Sequence, residues 1–211
     1  MGFVQQPYKT IRAPGTAELV IKKSRFIGRI APVTSAEEAM AFVREIKKRH
    51  WDASHHVWAY ALRDGQRRCS DDGEPQGTAG LPALEVLQKE ELVDCAAVIT
   101  RYFGGTKLGA AGLCRAYAGA CKAAIEAAGV VTMAPTQTLR VACDYSFYGK
   151  LQTLVPLFEG LILSTDFGER VVLELRLEAG QAERFRAKLV DASNGIVKAE
   201  VIAEGFAALS S

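Results

Sequence analysis

Asp94-Cys-Ala-Ala-Val-Ile-Thr-Arg-Tyr-Phe103 is a nearly continuous apolar run of strand length. A run of that kind reads as a strand buried on both faces. It leads directly into Gly104-Gly-Thr-Lys-Leu-Gly109, and then into a predicted helix over Leu108–Ala128 ending at Gly129. The many alanines and glycines of that helix point to close backbone packing. Upstream lies Cys69-Ser-Asp-Asp-Gly-Glu-Pro-Gln-Gly-Thr-Ala-Gly-Leu-Pro82, dense in acid, glycine and small polar residues. Packing alone does not call for so much glycine, charge and hydroxyl at element ends. Loops held by rigid elements are where function concentrates.

The flanking sequence supplies further elements. Alternation over 17–33 predicts strands at Glu18–Lys23 and Phe26–Val33. Ser35-Ala-Glu-Glu38 is a capping box, opening a helix that runs to about Trp51 with Ala39, Val43 and Ile46 inward. Its end carries Arg44, Lys47, Lys48 and Arg49. These are either a solvated face complementing the helix dipole or a phosphate-contacting patch. His55–Leu62 reads as a strand with His56, Trp58, Tyr60 and Leu62 on one face. An Asp-Gly turn at Arg63–Gln66 returns it through Arg67–Ser70, and a helix starts near Leu81-Pro82. Met133–Gln137 reads as a linker. Beyond it come a strand (Thr138–Asp144), a helix (Ser146–Phe158), a hairpin (Leu161–Asp166, Arg170–Leu177), a helix (Gln181–Ala192) and a strand (Ile196–Ala203). That order is βαββαβ, the ferredoxin-like plan.

With 211 residues there is room for one large domain or two small ones. The five cysteines, Cys69, Cys95, Cys114, Cys121 and Cys143, show no C-x-x-C pair, so neither a zinc finger nor a disulfide framework is expected. Nearby carboxylates disfavour a catalytic thiolate at Cys69. No stretch has the roughly 18 apolar residues a membrane helix needs, and the first residues lack the pattern of a secretory signal. A cytoplasmic protein is expected. Net charge is +2; residues 1–136 hold 18 Lys and Arg against 14 Asp and Glu, so the basic bias is N-terminal. It falls short of a strong nucleic-acid signature.

Two constellations could carry chemistry. Asp71, Asp72 and Glu74, with His55 and His56 upstream, could bind a divalent metal or serve as acid and base. Equally, the aspartates could turn the chain and cap amides, or the loop, with Thr78, could recognise a partner. No dedicated metal-site spacing is present. Gly77-Thr-Ala-Gly80 and Gly104-Gly105-Thr106 each precede a helix, where free amides suit a phosphate. Lys107, Arg101 and Arg115 would add cations. Neither segment is a P-loop, and no nucleophile motif is convincing.

Arg25–Gly28, Ala53–Tyr60, Ser70–Pro82 and Val98–Gly109 together resemble the motifs of the YigZ/IMPACT family. The resemblance implies an α+β protein of two domains, over 1–134 and 135–211. The first would take the ribosomal-protein-S5-domain-2-like α/β fold; the second would be ferredoxin-like, similar to the last domain of elongation factor G. The family implies a translation-linked, non-enzymatic protein that binds RNA, the ribosome or a translation factor. On that reading Arg101, Lys107 and Arg115, with Gly104, Gly105 and Thr106, meet phosphates. His55, Asp71, Asp72, Glu74 and Thr78 form a recognition loop. No cofactor or resident metal is implied, and a monomer is expected. Two alternatives stand beside it. One is a metal-assisted hydrolase of a phosphorylated or nucleotide substrate, with Asp71, Asp72 and His55 as ligands. The other is a protein-interaction module with an exposed apolar patch.

Overall fold

The apolar run is the middle of a sheet. The computed structural model describes residues 6–208; most of the N-terminal stretch inspected for a secretory signal lies outside them. In chain order the first unit, Tyr8–Thr132, holds β1 (Tyr8–Ile11), β2 (Gly15–Ile21), β3 (Ser24–Pro32), α1 (Ala36–Arg49), β4 (His55–Ala61), β5 (Arg67–Ser70), α2 (Gly80–Lys89), β6 (Cys95–Tyr102) and α3 (Ala110–Ala128). Its sheet runs β2-β3-β6-β4-β5 with every neighbour antiparallel. β6 is central because seven of its eight residues are buried, which a strand covered on both faces tolerates.

Alternation along β6 assigns the two faces. Cys95, Ala97 and Ile99 pack with α2 and α3 around Phe26, Ile30, Val57, Leu87, Tyr117 and Ala120. Ala96 and Val98 face α1, meeting Ala39, Val43 and Ile46. The Ser35 hydroxyl accepts the Glu38 amide at 3.2 Å, while the Glu38 carboxylate takes the amide and hydroxyl of Thr34. The capping box thus closes one residue earlier than its usual reciprocal form.

The small residues of α3 have a geometric reason. A Cβ on Gly28 would lie 2.3 Å from the Ala120 carbonyl oxygen, and one on Gly15 2.5 Å from the Ala128 amide nitrogen. Helix and sheet backbones approach too closely for any side chain between them.

The second unit, from Met133 onward, holds most of β7 (Val130–Cys143), then α4 (Tyr145–Leu154), a 3-10 turn (Val155–Phe158), β8 (Leu161–Phe167), β9 (Val171–Glu178), α5 (Ala179–Ala192) and β10 (Ala199–Ala208). The ladder order β10-β7-β9-β8 is the ferredoxin-like arrangement. Leu139, Val141, Leu173, Leu175, Phe185 and Leu189 build its core. The expected linker is corrected: Met133–Gln137 lies inside β7, paired from Met133↔Ala208 to Gln137↔Glu204. Pro135 interrupts the apolar pattern, yet its fixed φ is compatible with extended backbone. The α+β, two-domain organisation holds. Among the described residues no helix is long and apolar enough to cross a membrane.

Gly28→Ala should lower thermal stability by roughly 1–3 kcal/mol through overpacking, read as a drop in Tm. Gly205→Ala, in strand β10 with open space around it and no left-handed φ, controls for loss of a strand glycine alone; an equal drop in both would refute the close-approach account.

Candidate functional site

Strand register gathers the sequence motifs at one end of the first sheet. His55 opens β4 and Arg101 nearly closes β6, and the two are directly paired. Arg25 near the start of β3 is paired with Tyr102. The loop from β5 to α2 folds over this end.

Each acid of that loop has a separate task. Asp71 accepts the amides of Gly77 at 2.9 Å, Ala79 at 3.0 Å and Gly80 at 2.8 Å. It therefore caps α2, whose own N-cap residue, Ala79, has no side-chain acceptor. Burial works to raise the Asp71 carboxyl, but the amides of Gly77, Gly80 and Ala79 outweigh it and hold the group below its ordinary range. The Asp72 carboxylate accepts from Lys47 Nζ at 2.6 Å and from the His56 amide at 2.7 Å. Burial opposes its ionisation too, and the Lys47 and His56 bonds prevail, so its carboxyl is also lowered. The Asp72 carbonyl takes the proton of His55 Nδ1 at 2.9 Å. Gly73, at φ +88°, lies against the His55 ring: a Cβ there would sit 3.5 Å from Nδ1.

Glu74 is buried and central. Its Oε1 accepts from Arg101 Nη1 at 2.5 Å and from the Tyr117 hydroxyl at 2.7 Å, with His55 Nε2 at 3.9 Å. Both members of the ion pair have side chains about 5% exposed. Arg101 Nη2 reaches Ser24 Oγ at 3.3 Å, and that hydroxyl accepts the Gly104 amide at 3.1 Å. The guanidinium lies 5.3 Å from both the Phe26 and Phe103 ring centres. Burial, then the Glu74 bond, pushes the Tyr117 hydroxyl far up, so it stays a donor.

The structure turns Arg101 inward: the guanidinium expected to meet a phosphate is held by Glu74. Thr78 is buried as well, its hydroxyl donating to the Pro75 carbonyl at 2.7 Å. Lys107 and Thr106 are exposed on the glycine loop. Gly104 is the point of close approach, where a Cβ would fall 2.1 Å from the Lys23 carbonyl carbon. Gly105 and Gly109 have φ of +82° and +75°, values that favour glycine. Gly109 caps α3 without a side-chain acceptor, and the helix's first turn has no acid. Arg115 is exposed and lines a cleft of about 530 Å³ with Leu81, Pro82, Glu85, Lys89 and Cys114.

The metal-ligand set is corrected. Asp71 is spent on α2 amides, Asp72 on Lys47 and the His56 amide, and His55 is hydrogen-bonded to the Asp72 carbonyl with Glu74 at 3.9 Å. Among the described residues no three His, Cys, Asp or Glu side chains are placed to hold a metal ion. At Cys69, burial and then the Asp71 charge raise the thiol, which keeps it protonated. Two residues of the site were not legible as such. Tyr117 reads as ordinary core on an apolar helix, and Ser24 as a turn residue. Only the burial of Glu74, which needs donors, points to them.

Glu74→Ala should cost roughly 3–5 kcal/mol by stranding Arg101. Glu74→Ala with Arg101→Met should recover part of that loss in denaturant unfolding. A strictly additive double variant would mean that the pair is not coupled.

Because the Asp71 and Asp72 carboxyls are depressed in the fold, their stabilisation is full above the unfolded value of about 3.9. It is lost as pH falls through their folded values. Acid unfolding of Asp71→Asn should therefore show a shallower stability slope below about pH 4 than the parent; an unchanged slope would remove Asp71 from the account.

The Impact N-terminal domain family matches residues 22–125, and a domain of unknown function, DUF1949, matches residues 141–195. IMPACT family member YvyE of Bacillus subtilis (strain 168) is 39% identical over 190 residues, spanning 89% of this chain and 88% of that protein. IMPACT family member YigZ of Escherichia coli (strain K12) is 36% identical over 196 residues, spanning 91% and 96%. A crystal structure described as that of a hypothetical protein is 34% identical with a TM-score of 0.61, covering 94% of this chain and 98% of its own.

Proposed function

The chain belongs to the IMPACT family, and from that premise we propose that it is a non-enzymatic, translation-linked protein that binds RNA on the ribosome or beside a translation factor. The observation that carries the reading is the glycine loop and the start of α3. Lys107 and Arg115 are exposed there and make no ion pair among the described residues. The N-terminal amides of a 19-residue helix, uncapped by any side chain, lie between them in sequence. Together they suit a phosphate backbone. Glu74 and Arg101 act here as a brace, holding Ser24, Gly104 and Tyr117 so that the loop is presented rigidly. Lys107 and Arg115 contact phosphates; His55 shapes the adjoining surface.

A protein partner is the second reading, and one observation favours it. β8 ends the second sheet with Leu161, Ile162, Leu163 and Phe167 all exposed. An apolar edge strand invites pairing with another chain.

Cosedimentation with ribosomes and with structured RNA over a salt series tests the first reading. Binding should weaken steeply with salt, and Lys107→Glu with Arg115→Glu should abolish it in a folded protein. Salt-insensitive binding, lost instead on Leu163→Lys, would transfer the function to the β8 edge. No binding at all would refute the RNA reading.

A further inference from the structure

The other side of the same sheet carries a second set of groups. There α1 packs on β4 and β6, while Thr16, Glu18 and Val20 of β2 remain exposed, Val20 by 65%. Alternation puts Arg25 and Arg29 of β3 on this side, since Phe26 and Ile30 face α3. Tyr102 lies opposite Arg25, whose guanidinium carbon stands 5.4 Å from the tyrosine ring centre. The Tyr102 hydroxyl meets His50 Nδ1 at 2.8 Å and Asp52 Oδ1 at 3.1 Å. Between His50 and Asp52 stands Trp51, 83% exposed, the most exposed large apolar side chain among the described residues.

The charges here are unevenly compensated. Arg25 is paired with Glu18 at 2.9 Å and Arg49 with Glu45 at 2.6 Å. Arg29 forms no salt bridge among the described residues, and its Nη1 is buried without a hydrogen bond there. His50 Nε2 and Thr100 Oγ1, on the same side, are likewise unpartnered. Burial, then the neighbouring Arg49 charge, lowers Arg29; burial, then Arg29, lowers His50. Cations are crowded here, and the acids that act on them, Glu18 on Arg29 and Asp52 on His50, do so more weakly than burial and the neighbouring positive charges. An N–H buried without an acceptor is costly, so Arg29 gains by turning its guanidinium to an anion at the surface. Lys48 at the α1 end, with Lys22 and Lys23 in the β2–β3 turn, is exposed and extends the positive rim.

We propose that this face binds single-stranded RNA, with a base stacked on Trp51 and the adjoining phosphate on Arg29. The combination of an exposed indole with a guanidinium that has a free N–H and no salt bridge among the described residues is what distinguishes the surface from an apolar protein-docking patch. Stacking on an aromatic ring tolerates any base, and a cationic rim follows the backbone. The inference rests on the RNA-binding reading and gives it a strand state and a second surface, apart from the Lys107 loop.

The chain has two tryptophans, and the other, Trp58, is half-buried and stacked on Tyr60 with ring centres 6.0 Å apart. A Trp58→Phe background, used for every protein below, leaves Trp51 as the single emitter. A labelled uridine oligoribonucleotide of about eight residues, within the usual site size, is titrated at low salt, following emission and probe anisotropy together. Wild type should show quenching. Trp51→Ala should weaken binding about tenfold, in the range expected for one stacked base, and Arg29→Met should weaken it and flatten its salt dependence, as loss of one phosphate contact does. Lys107→Glu with Arg115→Glu should retain the quench. Binding unchanged in both Trp51→Ala and Arg29→Met overturns the proposal, as does a wild type that binds no oligonucleotide. Quenching by uridine monophosphate at the same concentrations would also overturn it, in favour of a free-nucleotide site. Trp51 is too exposed for its removal to unfold the chain. A wild type that shows the quench yet fails to cosediment with ribosomes would sink the Lys107 loop reading alone; a wild type that cosediments without any quench would sink only this one.

Discussion

A single buried ion pair organises the end of the first sheet. Glu74 and Arg101 are almost fully withdrawn from water, where removing either charge from solvent costs several kcal/mol. Such a pair is poor evidence for stability as such. Its value lies in what it specifies. Glu74 comes from the loop before α2, Arg101 from β6, Tyr117 from α3, and Ser24 from the start of β3. The four segments meet in one cluster of hydrogen bonds, in which Arg101 Nε alone of the guanidinium nitrogens is left buried without a partner among the described residues. A loop rich in glycine and acid would otherwise be free to wander. Here it is fixed by a contact that leaves a buried charge exposed to penalty if any member shifts. The Ser24 hydroxyl extends the same restraint to the Gly104 amide, which sets the start of the glycine loop.

That brace also explains which parts of the molecule could be read from its sequence. Periodicity is a local property, and the elements that depend on it were legible. The apolar run became β6, the Ser35 cap opened α1, and the βαββαβ order of the second unit followed from alternation and turns. Met133–Gln137 was misread because Pro135 breaks the apolar rhythm without breaking extended backbone. The strand continues because β10 pairs with it through that stretch, and pairing partners about seventy residues away leave no mark on local composition.

The site was legible in part for the same reason. Asp71 as a turn-and-cap residue follows from residue type, and the structure gives it three amides. Asp72 and Arg101 do not follow, because their partners, Lys47 and Glu74, lie on distant segments. A sequence shows that an arginine precedes a glycine loop. Whether it faces a ligand or a buried glutamate depends on strand register, which turns Arg101 toward α3 together with Ile99 and Ala97. The same register places Tyr102 on the opposite side, beside His50.

The two sides of the sheet end thus differ in how their cations are met. Toward α3, Arg101 is neutralised by Glu74 and sealed beneath Phe26 and Phe103, which makes it a structural cation. Toward α1, Arg25 and Arg49 have bonded carboxylates, while Arg29 feels Glu18 only at a distance and keeps Nη1 buried without an acceptor, an unfavourable state for a chain to keep. Substituting Arg29 with an apolar residue would remove that cost, so its presence there is better accounted for by an anion from outside the chain than by the fold. Trp51, next in sequence to the His50 on which the Arg29 charge acts, argues likewise, since an indole left in water does nothing for the core. A phosphate and a base, joined in one ligand, satisfy both.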